Sequence, residues 1–133
     1  MQTFVRRAGS MLFWTVMLLE TLSMADAGLG KFQSLAGWQT WFTKWGYGAW
    51  TAQVVGAVEI LGAVLLFVPR LASYSASVLI VVMAVAAHTN AFKESDMSTF
   101  DPMLHMTFLT IILVVRWGRR WRGETARPAG VEL

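Results

Sequence analysis

Within long apolar stretches of this chain stand Glu20, Asp26, Glu59, His88 and His105. Ionisable groups in hydrocarbon are costly, so each is a candidate for proton handling or for binding a polar group in a dry setting. Glu59 is the sharpest of them. On a helix Gly56, Glu59, Gly62 and Ala63 share one face, with Gln53 one turn above. Small residues there admit a second helix and turn the carboxyl inward. Such a carboxyl could bond a quinone-like head group or relay protons; the plainer alternative is a bond to a neighbouring helix that sets packing. Glu20 stands with Ser23, Met24 and Ala27 in a similar setting. Asp26 and Lys31, both near the outer boundary, are expected to form a surface ion pair or to be solvated separately.

His88 and His105 on adjacent helices at equal depth could hold a haem or, with Glu20 and Glu59, a metal ion. The four-helix di-metal pattern places Glu three residues before each His, and neither histidine has one. Asp101 and His105 form only an i,i+4 pair. An interfacial structural or proton-handling role is therefore expected, without haem or metal. Met11, Met17, Met24, Met103 and Met106 are expected to pack. The chain has no cysteine, which excludes disulfides, thiolate metal sites and iron–sulfur ligation.

The elements that position these groups follow from composition. Of 133 residues 56% are hydrophobic and 14% charged, about half the usual charged share, and the mean hydropathy is +0.51. These values exclude a soluble catalytic domain and a disordered chain. A net charge of +3, with basic residues at segment ends, also excludes a nucleic-acid binder. Apolar runs at 9–29, 49–68, 71–90 and 103–117 predict four membrane spans. The expected fold is an all-α, antiparallel four-helix transmembrane bundle over residues 1–122, with 123–133 a flexible cytoplasmic tail. Pro69-Arg70 makes a tight turn, and Pro102 suits the first turn of the last helix.

Between the first two spans Trp38, Trp41, Phe42 and Trp45 recur at helical spacing. They predict a short helix over 35–46 lying in the membrane surface, with Trp38, Trp41 and Trp45 as interfacial anchors. A packed loop outside the membrane is the alternative. Arg6, Arg7, Arg70, Arg116, Arg119, Arg120 and Arg122 fall on one side of this topology. Lys31, Lys44, Lys93, Glu94, Asp96 and Asp101 fall on the other, so both termini are expected in the cytoplasm. The first span is expected to be retained, because Glu20 and Asp26 interrupt it and no convincing cleavage site follows. Counting down from the outer boundary puts Glu20 and Glu59 roughly 13–15 Å deep as a pair. Asp26, His88 and His105 form a shallower layer, with Lys31 at the outer mouth.

These residues also carry a resemblance. Ala27-Gly28-Leu29-Gly30-Lys31-Phe32, then Trp45-Gly46-Tyr47, then Gly56-Ala57-Val58-Glu59-Ile60-Leu61-Gly62 resemble the DoxX family. The likeness continues through Pro69-Arg70-Leu71-Ala72 to Ala87-His88 and spans residues 10–117. It implies a bacterial four-helix inner-membrane protein of the kind associated with quinone-linked oxidation, including small subunits of thiosulfate:quinone oxidoreductases. The family's buried glutamate falls on Glu59 and its Gly-Lys turn on Gly30-Lys31, whereas Glu20, Asp26 and His105 match no family motif. No cofactor-binding fingerprint accompanies these features. The expected role is a small membrane subunit of a quinone-linked assembly, with Glu59, Glu20, Gln53, His88 and His105 as candidate ligand contacts. A larger membrane complex or a homo-oligomer is the expected partner. A purely structural assembly subunit and a small proton-coupled carrier are the alternatives.

Overall fold

A computed structural model describes residues 1–94 and 96–125. Among the described residues every regular element is helical: α1 (Gln2–Gln33), α2 (Leu35–Lys44), α3 (Thr51–Leu65), α4 (Ala72–Phe92) and α5 (Phe100–Thr125). α1, α4 and α5 are long and apolar enough to cross a membrane, while α3 is a shorter apolar helix of 15 residues. Leu18, Leu22, Val81 and Val114 lie bare on the outside, as suits a protein whose solvent is lipid. The chain is a helical membrane protein.

Helix ends depart from the sequence pattern for local reasons. α3 stops at Leu65, and Phe67 and Val68 then close tight turns on Val64 and Leu65 at 3.2 and 3.1 Å. Pro69 disfavours helical backbone at Val68, which ends the run early. The expected 20-residue second span is therefore a helix of about 22 Å flanked by turns. α5 is longer than expected at both ends. The Ser98 hydroxyl accepts the Phe100 N–H at 3.1 Å, and Asp101 and Pro102 occupy the first turn, where an acid suits the helix dipole and a missing N–H does no harm. α5 then runs past Trp117 to Thr125, so residues 123–125 are helical rather than tail. The rest of the expected tail, 126–133, lies outside the described residues.

α1 passes into α2 across Ser34 alone. α2 ends where Gly46 takes φ +86°. The Gly46 N–H bonds the Thr43 carbonyl and the Tyr47 N–H bonds the Phe42 carbonyl, a Schellman closure that needs a residue free to adopt positive φ. The Phe42 and Tyr47 rings meet across it, centroids 5.9 Å apart.

α1 packs along α3 and α4 along α5; α3 touches α4, and a sparser α1–α5 contact closes the ring. At the α1–α3 crossing a Cβ added to Gly28 would sit 2.7 Å from the Gly56 carbonyl oxygen, so the two backbones meet with no side chain between them. The Ser75 hydroxyl donates to the Gly62 carbonyl at 2.6 Å and ties α4 to α3. Phe13, Met17, Ala63, Leu66, Ala76, Leu79, Leu109 and Ile112 fill the core toward the end where α1 begins and α5 ends. There the Arg116 guanidinium covers the Phe13 ring at 5.4 Å.

Candidate functional site

The buried residues of α1 are Phe13, Met17, Glu20, Met24, Gly28 and Lys31. Steps of three and four put them on one stripe facing α3 and α5. Polar groups on that stripe cannot reach water and must find partners. Lys31 does so by leaning back toward the helix N-terminus, the direction helical side chains take. Its Nζ donates to Glu59 Oε2 at 2.7 Å, lies 3.4 Å from the Ala27 carbonyl oxygen, and sits 4.8 Å from the centroid of Trp38. Both side chains are buried, at 9% and 3% exposure. Of the two arrangements expected for Asp26 and Lys31, the ion pair does not form: Asp26 is exposed, as separate solvation has it, while Lys31 lies on the buried stripe instead of at the surface.

Glu20, at 1% side-chain exposure, finds His105 instead. Its oxygens lie 3.0 and 3.1 Å from Nδ1, and Ser23 Oγ stands 3.4 Å from Nε2. The two carboxylates therefore do not form one deep pair. A Cβ on Gly28 would lie 3.2 Å from the Glu59 Cβ, which sets Glu59 level with Gly28 and about 12 Å along α1 from Glu20. His105 belongs to the level of Glu20 rather than to a separate outer layer.

Two cavities open around these pairs. The smaller, about 310 Å³, is walled by Val55, Val81, Val82 and Val85, with Lys31, Glu59, Tyr47, Thr89 and Asn90 as polar lining. The larger, about 620 Å³, holds Glu20, Ser23 and His105 among Met24, Met83 and Phe108. Lys31, Trp38, Glu59 and Ala86 line both, so the ion pair stands on the partition.

The aromatic segment forms the expected helix but faces the opposite way for two of its three tryptophans. Trp38 lines the cavities, and Trp45 is buried with its indole N–H on Glu94 Oε2 at 3.3 Å. Only Trp41 faces outward, with the Lys44 ammonium 4.6 Å from its ring centroid. α2 thus roofs the smaller cavity. Lys44 donates to Glu94 Oε2 at 2.7 Å, the Lys93 ammonium bonds the Trp45 carbonyl, and the Tyr47 and Thr89 hydroxyls are 3.0 Å apart. The Lys44 ammonium and the Trp45 indole hold the Glu94 carboxyl below the usual carboxylate range.

Gln53 and His88 stay outside both cavities. Gln53 is exposed, because Ala52 takes the buried position one turn before Gly56. His88 is exposed, its ring centroid 4.8 Å from that of Phe92. Met17 and Met24 pack in the core. Among the described residues no three His, Asp or Glu side chains converge as a metal site would. Sequence reasoning missed the partner of Lys31, the role of Ser23 and the clip around Glu94. The first had a readable signal, since Lys31 continues the stripe of Glu20, Met24 and Gly28.

The family model described as DoxX matches residues 18–91, more than half of the chain. No curated protein and no solved structure matches it.

Proposed function

The chain belongs to the DoxX family, and from that premise we propose that it is a small integral subunit of a quinone-linked oxidoreductase assembly. It lies in a bacterial inner membrane as an antiparallel bundle of four spans with both termini cytoplasmic, α3 being the short one. Its part is to hold the head group of a lipid-soluble quinone, in the smaller cavity under α2. The observation that carries this reading is the buried Lys31–Glu59 pair on the partition of two largely apolar cavities. The residues present fit such a ligand. Valine walls accept a flat ring, and the Lys31 ammonium is a donor for a carbonyl oxygen.

In this role Glu59 keeps Lys31 aimed, Trp38 screens the pair from water, and α2 covers the ring. A buried charge pair loses solvation on both sides, and a ligand carbonyl that shares the ammonium restores a hydrogen bond to it. The apolar packing of Phe13, Met17, Leu66, Leu79 and Ile112 fills the other end of the bundle, which argues against a carrier with a polar path across the membrane.

The test is purification in lipid nanodiscs, with native mass spectrometry for partners and an extracted-lipid scan for quinone. Wild type is expected to bring a stoichiometric redox partner and bound quinone, and Glu59→Gln and Lys31→Met to lose at least about fivefold of that quinone, a change of roughly 1 kcal/mol. Equal quinone in wild type and both variants would sink the binding role.

A further inference from the structure

We propose that the end of the bundle where α1 begins and α5 ends carries a binding site for the phosphate of an anionic phospholipid, with Arg116 and Arg119 as its donors. This inference does not rest on the quinone reading and involves neither cavity.

Arg116 and Arg119 share one face of α5, and both guanidiniums meet the Phe13 ring of α1, their central carbons 5.4 and 4.9 Å from its centroid. Arg116 also lies 5.7 Å from the centroid of Trp14, which stacks on Phe67 of the α3–α4 turn at 6.4 Å. Aromatic faces attract a cation but accept no ordinary hydrogen bond from it. Nε and Nη2 of Arg116 are shut off from water and have no hydrogen-bond partner among the described residues, a costly state for a charged group. Carboxylates are engaged elsewhere: Glu20 with His105, Glu59 with Lys31 and Glu94 with Lys44. Asp26, Asp96 and Asp101 stand toward the opposite ends of α1 and α5. Like charges three residues apart on a helix repel, so an anion between these two relieves both. Arg116 is partly exposed and Arg119 fully so, which leaves both within its reach. A phosphate has the oxygens to bridge two guanidinium forks.

The position selects a lipid over a free anion. Trp14, Trp117 and Trp121 are exposed on the same stretches of α1 and α5, and exposed indoles mark the headgroup level of a bilayer. From Trp14 the exposed side chains of Leu18 and Leu22 continue at steps of four along α1 into the apolar span, a track on which an acyl chain can lie. The surrounding charge selects the headgroup. Arg6 and Arg7 stand two turns before Phe13 and Trp14, and Arg70 closes the α3–α4 turn. Together they favour a headgroup of net negative charge over a zwitterionic one.

The experiment uses the full chain in nanodiscs of equimolar dioleoylphosphatidylglycerol and dioleoylphosphatidylcholine, the lipids retained on release from the disc being read by native mass spectrometry. Wild type is expected to favour the anionic lipid about tenfold. Arg116→Gln/Arg119→Gln is expected to bring the ratio to about twofold or less, and Arg119→Gln alone, at an exposed position, to about fourfold. Arg6→Gln/Arg7→Gln removes the same charge two turns away and is expected to keep the ratio above about fivefold. Millimolar inorganic phosphate is expected to leave the lipid in place; displacement would give the site to a free anion and overturn the lipid assignment. Equal retention of the two lipids in wild type, the wild-type ratio in Arg119→Gln or in Arg116→Gln/Arg119→Gln, or as large a loss in Arg6→Gln/Arg7→Gln would each overturn the proposal.

Discussion

Lys31–Glu59 and Lys44–Glu94 are closed by the same 2.7 Å contact and differ almost only in where they stand. The Lys44 side chain is 57% exposed, whereas Lys31 is 9% exposed and boxed by Trp38. Both lysines follow the same rule, a cation held by a carboxylate beside an indole ring. The surroundings give the two pairs different work. In the outer pair solvent supports the Lys44 ammonium, and the buried Glu94 carboxyl has the Trp45 indole as a second partner, so neither ion depends on the other alone. In the inner pair each ion depends on the other, and losing one leaves the remaining buried charge without its hydrogen-bonded partner.

The largest expected effect tests that dependence. Lys31→Met or Glu59→Leu alone should cost about 3–5 kcal/mol in unfolding from detergent, while the double variant should recover most of the loss. A double variant as unstable as either single one would show that packing, rather than pairing, sets the cost. Next comes the backbone crossing that carries the inner pair. Gly28→Val puts a side chain against the Gly56 carbonyl and should cost roughly 1–3 kcal/mol by the same measurement.

The outer clip gives a smaller effect with a definite pH dependence. The Glu94 carboxyl titrates lower in the folded chain than in the unfolded one, because Lys44 and Trp45 favour its ionised form. Its stabilisation is therefore complete above the ordinary glutamate value of about 4.3 and is lost as pH falls through the lowered value. Hydrogen exchange of α2 amides should be faster in Glu94→Gln than in wild type at neutral pH, and the two should converge in acid. A difference that persists in acid would remove the carboxylate from the account. The smallest effects belong to Asp26→Ala, Gln53→Ala and His88→Ala, whose side chains are exposed. Each should stay within about 0.5 kcal/mol of wild type and leave quinone retention unchanged.

The helical membrane class and the inward face of Gly56, Glu59, Gly62 and Ala63 were readable from residue type and spacing. Partnership was harder to read, for a physical reason. Spacing says which residues share a face of one helix, but Lys31 meets Glu59 across 28 positions and Glu20 meets His105 across 85. Those distances depend on how far α1 runs and where α3 starts. The rule that lysine seeks water misled at Lys31, where the helix stripe outweighed it. The aromatic-belt rule misled at Trp38 and Trp45, because the Gly46 turn folds that segment back over α3. The family match includes Lys31 and Glu59 and stops before His105. The second cavity is thus the part that family membership tells least about.

The span between Glu20 and His105 also bears on biogenesis. α1 is synthesised first and α5 last, so Glu20 enters the bilayer well before its partner exists. A carboxylate near the middle of a helix costs about 2.5–3.5 kcal/mol at insertion, and that cost stands until the final helix arrives. A chain truncated before α5 would hold an uncompensated acid facing an open slit, a mark by which a membrane protease could tell unfinished copies from complete ones.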